Sequence, residues 1–170
     1  MVTRSTKPAP NKSAKKAAEK AAFLRLDNQL CFALYSSSLA MTKLYKPVLT
    51  PLGLTYPQYL VLLVLWESDA IGVGELGTRL FLDSGTLTPL LKRMEAAQWL
   101  TRQRAADDER RVIVTLTPAG DALRHEAIDV PAHVACATGC KIPELIELTA
   151  RLQRLRDQVM SSTDNSAAAL

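Results

Sequence analysis

Between Val73 and Thr117 the chain spells two helices and a hairpin in immediate succession, and that order restricts the fold more than any other feature. VGELGTRL (Val73–Leu80) reads as a short helix, and Phe81-Leu82 leaves room only for a tight connection. Asp83-Ser84 then caps a longer helix, SGTLTPLLKRMEAAQWL, whose Leu87, Leu90, Leu91 and Met94 form an inward stripe. The outer face carries Ser84, Gly85, Thr88, Pro89, Lys92 and Arg93, all small, polar or cationic. Leu100–Arg104 and Val112–Leu116 read as strands, and the charged segment Ala105–Arg111 between them reads as a hairpin tip. A short helix, a tight turn, a second helix and a β-hairpin make a helix-turn-helix with a wing. In such a layout the second helix lies in the major groove of DNA and an arginine at the tip reaches the minor groove. The same outer face would also suit a plain solvated helix, and the same tip a plain solvated turn.

Charge does not decide between those readings. The formal net charge is +4. Within residues 1–22, Arg4, Lys7, Lys12, Lys15, Lys16 and Lys20 against Glu19 give +5, so the other 148 residues sum to −1. The segment from Gly72 to Thr117 is nearly balanced, with seven Lys/Arg and six Asp/Glu. The basic leader is expected to be disordered and its phosphate contacts unspecific. A composition of 48% hydrophobic and 22% charged residues suits a soluble globular domain. The longest apolar run, Leu60–Trp66, is far too short to span a bilayer, and residues 1–22 contain no apolar signal core. A cytoplasmic protein without membrane contact is expected. Three cysteines are an odd count and a poor disulfide framework, pointing to core residues, metal ligands or redox thiols.

The flanks are helical. Leu30, Leu34, Met41, Leu44 and Val48 recur at helical spacing, with Asp27 as the expected N-cap. Pro47 and Thr50-Pro51-Leu52-Gly53 end that helix. Thr55 caps the next one, with Pro57 in its first turn and an all-round apolar run Tyr59–Trp66 that marks it as central. Thr117-Pro118 starts a further helix, expected to reach about Val130-Pro131. After a turn at Thr138-Gly139, a last helix from about Pro143 presents Leu145, Leu148, Leu152, Leu155 and Val159 as a packing seam.

The run LGTRLFLDSGTLTPLLKRMEAAQWLTRQRAADDERRVIVTLTPAG resembles the MarR family of winged-helix regulators, with Asp108, Arg110, Leu116, Thr117 and Gly120 as the wing signature. FLDSGTLTPLLKR together with LDNQLCFALY is similar to the organic-hydroperoxide-sensing OhrR-type repressors, in their two-cysteine subgroup. The resemblance spans about residues 26–160. It implies a mainly α fold with a small β-hairpin wing: a winged helix-turn-helix domain flanked by N- and C-terminal dimerisation helices. In this chain that gives a leader at 1–22, one domain over 23–160 and a frayed tail at 161–170. Residues 72–117 would bind DNA, and 23–50 with 118–160 would form the dimer. Two departures stand out: the long leader, and Met94–Gln98, where the family more often has a glycine.

The resemblance also implies roles. The DNA contacts fall on Ser84, Thr86, Thr88, Pro89, Lys92, Arg93, Arg110 and Arg111, with Asp108 supporting Arg110. The peroxidatic cysteine is Cys31, the tyrosines that hydrogen-bond its sulfur are Tyr45 and Tyr56, and the resolving cysteine is Cys136. Cys140 receives no role. The chemistry is coherent, because the first turn of a helix favours an anion and a thiolate attacks a peroxide O–O bond to give a sulfenic acid. Read without the resemblance, a lone helical cysteine is more often a small buried hydrophobe. Cys31 and Tyr45 are fourteen residues apart, about 21 Å along one helix, so they can share a site only if a second chain supplies the tyrosine. The implied partners are a palindromic operator in double-stranded DNA, a second copy of the chain and an organic hydroperoxide as inducer. No cofactor and no catalytic turnover are expected. Two other regulators compete: one of a small phenolic ligand, and a zinc sensor using His125, His133, Cys136 and Cys140. A dimeric thiol peroxidase is a further alternative, against which the wing argues.

Overall fold

A computed structural model describes residues 20–108 and 110–167, so the leader up to residue 19 and the end of the tail lie outside the described residues. The chain divides into two compact units, Met1–Lys43 and Leu44–Leu170, where the sequence pattern predicts one domain over 23–160.

Leu26–Asn28 of the first unit form a single 3-10 turn, and helix α1 follows over Leu30–Leu49, running through the boundary between Lys43 and Leu44. Asp27 is therefore not the N-cap. Gln29 takes the extended backbone a cap requires, and its carbonyl accepts from the Ala33 N–H at 3.0 Å. Leu30, Tyr35 and Leu39 of α1 are exposed apolar residues. The helix continues through Pro47, and a 3-10 turn at Thr50–Leu52 closes on Gly53 in the left-handed region at φ 70°.

The second unit is built around α2 (Tyr56–Glu67). The Gln58 side chain accepts from both the N–H and the hydroxyl of Thr55, at 2.8 and 2.9 Å, which fixes the start of this helix. Tyr59, Val61, Leu62, Val64 and Leu65 are buried, as the all-round apolar run predicts. Against it pack α3 (Val73–Leu80) and α4 (Ser84–Ala96), whose Leu76, Leu87, Leu90, Leu91 and Met94 complete the core. A Cβ on Gly77 would stand 2.9 Å from the Leu82 carbonyl oxygen, so the α3–α4 turn closes this tightly only over glycine. Phe81 makes that turn at φ 56°.

Helix α4 ends in a Schellman motif: Gln98 N–H bonds to the Glu95 carbonyl at 2.9 Å and Trp99 N–H to the Met94 carbonyl at 3.1 Å. Gln98 is held at φ 61°, at the end of the Met94–Gln98 stretch, which lacks a glycine. Strands β2 (Leu100–Arg104) and β3 (Val112–Leu116) pair antiparallel, with Leu100 opposite Leu116 and Arg104 opposite Val112. A third strand, β1 (Ile71–Gly72), pairs with β3 on its other side. Two residues carry too little alternation to be read as a strand.

Thr117 accepts from Gly120 N–H and caps α5 (Pro118–Glu126). The helix predicted to reach Val130-Pro131 stops earlier, at Glu126. A turn follows, and α6 (Val130–Ala137) begins with Pro131 in its first turn instead of ending there. Its Val130 and Val134 are buried, so burial orders a segment to which the sequence pattern assigns no element. Gly139 turns the chain at φ 70°. The last helix, α7, covers Ile142–Ala167 and so extends beyond residue 160, where the sequence places a frayed tail. Arg156 of α7 lies over the Phe81 ring, 4.4 Å from its centroid. Among the described residues no single helix is long and apolar enough to cross a membrane.

A left-handed non-glycine residue costs about 1–2 kcal/mol, partly offset by the extra freedom glycine has when unfolded. Gln98→Gly is therefore expected to stabilise the protein by about 1 kcal/mol, read from denaturant midpoints at unchanged m-value.

Candidate nucleic-acid interface and redox residues

The candidate recognition surface is α4 with the wing. Asp83 supplies the N-cap: one carboxylate oxygen accepts from Thr86 N–H at 2.9 Å and the other from the Thr86 hydroxyl at 2.9 Å. The Thr86 backbone bond is the main reason the Asp83 carboxyl is held below its ordinary value. Ser84, Thr86, Thr88, Pro89, Lys92 and Arg93 are all exposed, and the inward stripe is buried beneath them. At the wing tip Asp108 accepts from Arg110 N–H at 3.0 Å and from its Nε at 3.3 Å. The Arg110 side chain is thus oriented by its neighbour while 93% exposed. Arg111 pairs with Asp107 at 3.2 Å. Ser84, Thr88, Arg110 and Arg111 line one groove of about 1170 Å³ between helix and wing. Thr86, Pro89, Lys92, Arg93 and Asp108 do not line it.

One contact in this surface is not foreseen from the sequence. Glu95, on α4, accepts from Arg102 of β2 three times: from its N–H at 3.1 Å, Nε at 3.0 Å and Nη2 at 2.5 Å. The ion pair clasps the recognition helix to the wing, and the Arg102 hydrogen bonds hold the Glu95 carboxyl below its ordinary value. The seven-residue spacing across a helix end and a strand start gives no periodic signal.

The second cluster is aromatic. Tyr45 of α1 and Tyr56 of α2 have ring centroids 4.5 Å apart, so the two predicted sulfur partners do come together. Tyr59 lies 6.0 Å from Tyr45 and 6.2 Å from Trp66, and sequence reasoning treats it only as core. Its signal is the i,i+3 spacing from Tyr56 on one helix face. Burial raises all three phenols above their ordinary value, with Tyr56 adding to the effect at Tyr45, and Tyr59 is pushed up to about 12. At neutral pH all three are protonated donors.

Cys31 is in the first turn of α1, Cys136 in the last turn of α6, and Cys140 just before α7; all three are exposed free thiols. The four residues of the zinc alternative are not gathered within one chain. Among the described residues no three His, Cys, Asp or Glu side chains gather as a metal site would require, so His125, His133, Cys136 and Cys140 are not a ligand set within it.

Comparison with known proteins decides the family. The chain is 53% identical over 111 residues to the organic hydroperoxide resistance transcriptional regulator of Bacillus subtilis, covering 65% of this chain and 76% of that one. This chain belongs to the MarR family. It is a DNA-binding transcriptional regulator of the OhrR type, with the winged-helix fold. The family described as transcriptional regulator SarA/Rot also matches residues 43–126. Reduced AbfR of Staphylococcus epidermidis, solved bound to DNA, superposes with a TM-score of 0.69 at 34% identity, covering 84% of this chain and 99% of that one. The disulfide form of AbfR gives 0.53 at 37% identity, covering 82% and 98%.

Two outcomes are expected from this geometry. Asp83→Ala removes the cap of α4, costing about 1 kcal/mol of stability in chemical denaturation. The Glu95–Arg102 clasp contributes stability that is full above pH 4.5 and is lost as the pH falls through the lower value Glu95 has when folded. The melting temperatures of wild type and Glu95→Gln should therefore differ at neutral pH and converge in acid.

Proposed function

We propose that this protein is a homodimeric repressor that releases its operator when an organic hydroperoxide oxidises Cys31. The observation that carries this reading is the Tyr45–Tyr56 pair, 4.5 Å apart, desolvated and protonated, in a chain that carries an exposed cysteine in the first turn of the same helix. Phenol O–H groups donate to a thiolate and stabilise the species that attacks a peroxide. Because the helical rise separates Cys31 and Tyr45 by about 21 Å within α1, the tyrosines of one copy serve the cysteine of the other.

The exposed apolar residues of α1 and α7, among them Leu34, Met41, Ile146, Leu148 and Leu152, suit burial against a second copy. Two copies present two recognition helices to a palindromic site, with half-sites about one helical turn or more apart. Ser84, Thr86, Thr88 and Pro89 face the major groove. Lys92 and Arg93 contact phosphates, and Arg110, steered by Asp108 with Arg111 beside it, enters the minor groove. The protein works in the cytoplasm, consumes one equivalent of oxidant and does not turn over.

After oxidation Cys136 of one copy attacks the Cys31 sulfenic acid of the other, forming the disulfide and releasing water. A disulfide needs Cα atoms within about 7 Å. Where the reduced protein holds them farther apart, the segment around Val130–Gly139 moves and shifts the recognition helices out of register with successive major grooves.

Operator binding with and without cumene hydroperoxide tests the reading, alongside non-reducing electrophoresis. Wild type is expected to lose the operator and give a dimer-sized band that is absent from Cys31→Ser and Cys136→Ser and kept in Cys140→Ser. Continued release of DNA by Cys31→Ser on oxidation would refute the trigger. In the reduced state Arg110→Ala should weaken operator binding, whereas Lys92→Ala should weaken binding to all sequences and reduce the salt slope by about one.

A further inference from the structure

Tyr45, Tyr56 and Tyr59 bring three phenol donors into one cluster, and among the described residues none of the three donates to a protein acceptor. That is ordinary for the two half-exposed rings. It is not ordinary for Tyr59, whose side chain is 2% exposed. Among the described residues no fully buried side-chain oxygen lacks a partner, so the Tyr59 hydroxyl keeps a small accessible surface, while its ring packs between Tyr45 and Trp66. A rigidly held ring that presents an unused O–H is arranged for an acceptor arriving from outside the chain.

Peroxide reduction involves two such acceptors. One is the thiolate, for which Tyr45 and Tyr56 suffice; the other is the oxygen that leaves. We propose that Tyr59 is a further catalytic residue of the sensor, donating its proton to the alkoxide expelled when the peroxide bond breaks. This rests on the reading of Cys31 as the peroxidatic thiol.

The step balances. The Cys31 thiolate attacks the OH-bearing oxygen of the hydroperoxide, an S–O bond forms, and the O–O bond breaks. Sulfur is oxidised by two electrons and the peroxide is reduced by two. The other oxygen departs with the electron pair of the broken bond and takes the Tyr59 proton to become an alcohol; the phenolate regains a proton from water. The direction is downhill, since Tyr59 at about 12 is a stronger acid than an alkanol, which is nearly as weak an acid as water. Burial of the ring keeps the donor protonated at every physiological pH.

The test separates proton donation from packing by changing the leaving group. In a Cys136→Ser/Cys140→Ser background Cys31 is the sole thiol, and its loss can be followed by thiol titration in the full-length reduced protein. Cumene hydroperoxide expels an alkoxide that needs a proton. Peracetic acid expels acetate, which does not. Tyr59→Phe keeps the ring and its packing and removes only the donor. It is expected to slow oxidation by cumene hydroperoxide at least about a hundredfold, the lower end of what general acids contribute. Oxidation by peracetic acid should proceed at the rate of the parent protein. Equal slowing with both oxidants would make Tyr59 a packing residue, and no slowing with either would leave it outside the chemistry; each overturns the proposal. Failure of the underlying reading looks different, because the Cys31 thiol of the parent protein would then survive both oxidants.

Discussion

A Cβ on residue 120 would stand 1.9 Å from the Trp99 carbonyl oxygen, and the rest of the DNA-binding unit depends on that contact being possible. With glycine there, α5 lies directly on the chain leaving α4. Thr117 bonds to both sides of the seam: its N–H donates to the Trp99 carbonyl and its hydroxyl to the Gln98 carbonyl, while its hydroxyl oxygen accepts from Gly120 N–H. Trp66 of the central helix donates from Nε1 to the Gly120 carbonyl at 3.1 Å and ties the seam to the core. The end of the recognition helix, the base of the wing and the start of α5 are therefore one hydrogen-bonded joint. The wing signature that runs from Leu116 through Gly120 is the sequence of that joint as much as it is a nucleic-acid motif.

The interface built on this joint has little surplus positive charge. Arg102 is neutralised by Glu95, and Arg110 and Arg111 are each paired with an aspartate. Ion pairs as exposed as those at the tip are weak, so DNA phosphates can compete for the arginines. Under the proposed function, discrimination would fall on shape and on small polar groups at the start of α4, with modest long-range attraction to any duplex.

Features governed by local rules were legible in the sequence. The inward stripe of α4, the Asp83 cap, the hairpin, the Thr117 cap and the turns at Gly53 and Gly139 depend on spacing or on one residue's backbone preference. What was missed depends on distant partners. The strand Ile71–Gly72 exists because Val114 and Ile113 lie beside it, and Glu95 finds Arg102 only after the Schellman turn reverses the chain. Pro131 read as a stop because a proline ends a helix as readily as it starts one; burial of Val130 and Val134 settles which. Asp27 was a good cap residue placed one turn too early. Of the candidate redox site, the tyrosine pair followed from the family pattern. Tyr59 was hidden inside an apolar run whose other members are core.

The aromatic series Tyr56, Tyr45, Tyr59 and Trp66, with successive ring centroids 4.5, 6.0 and 6.2 Å apart, also has an optical consequence. Light absorbed by any of these phenols passes to the indole by resonance transfer, which is efficient at such separations and falls steeply with distance. Trp66 emission therefore draws on the whole cluster. Only an event that carries the rings well beyond contact restores tyrosine emission at the expense of tryptophan, so this colour balance reports dispersal of the cluster and is blind to small shifts within it.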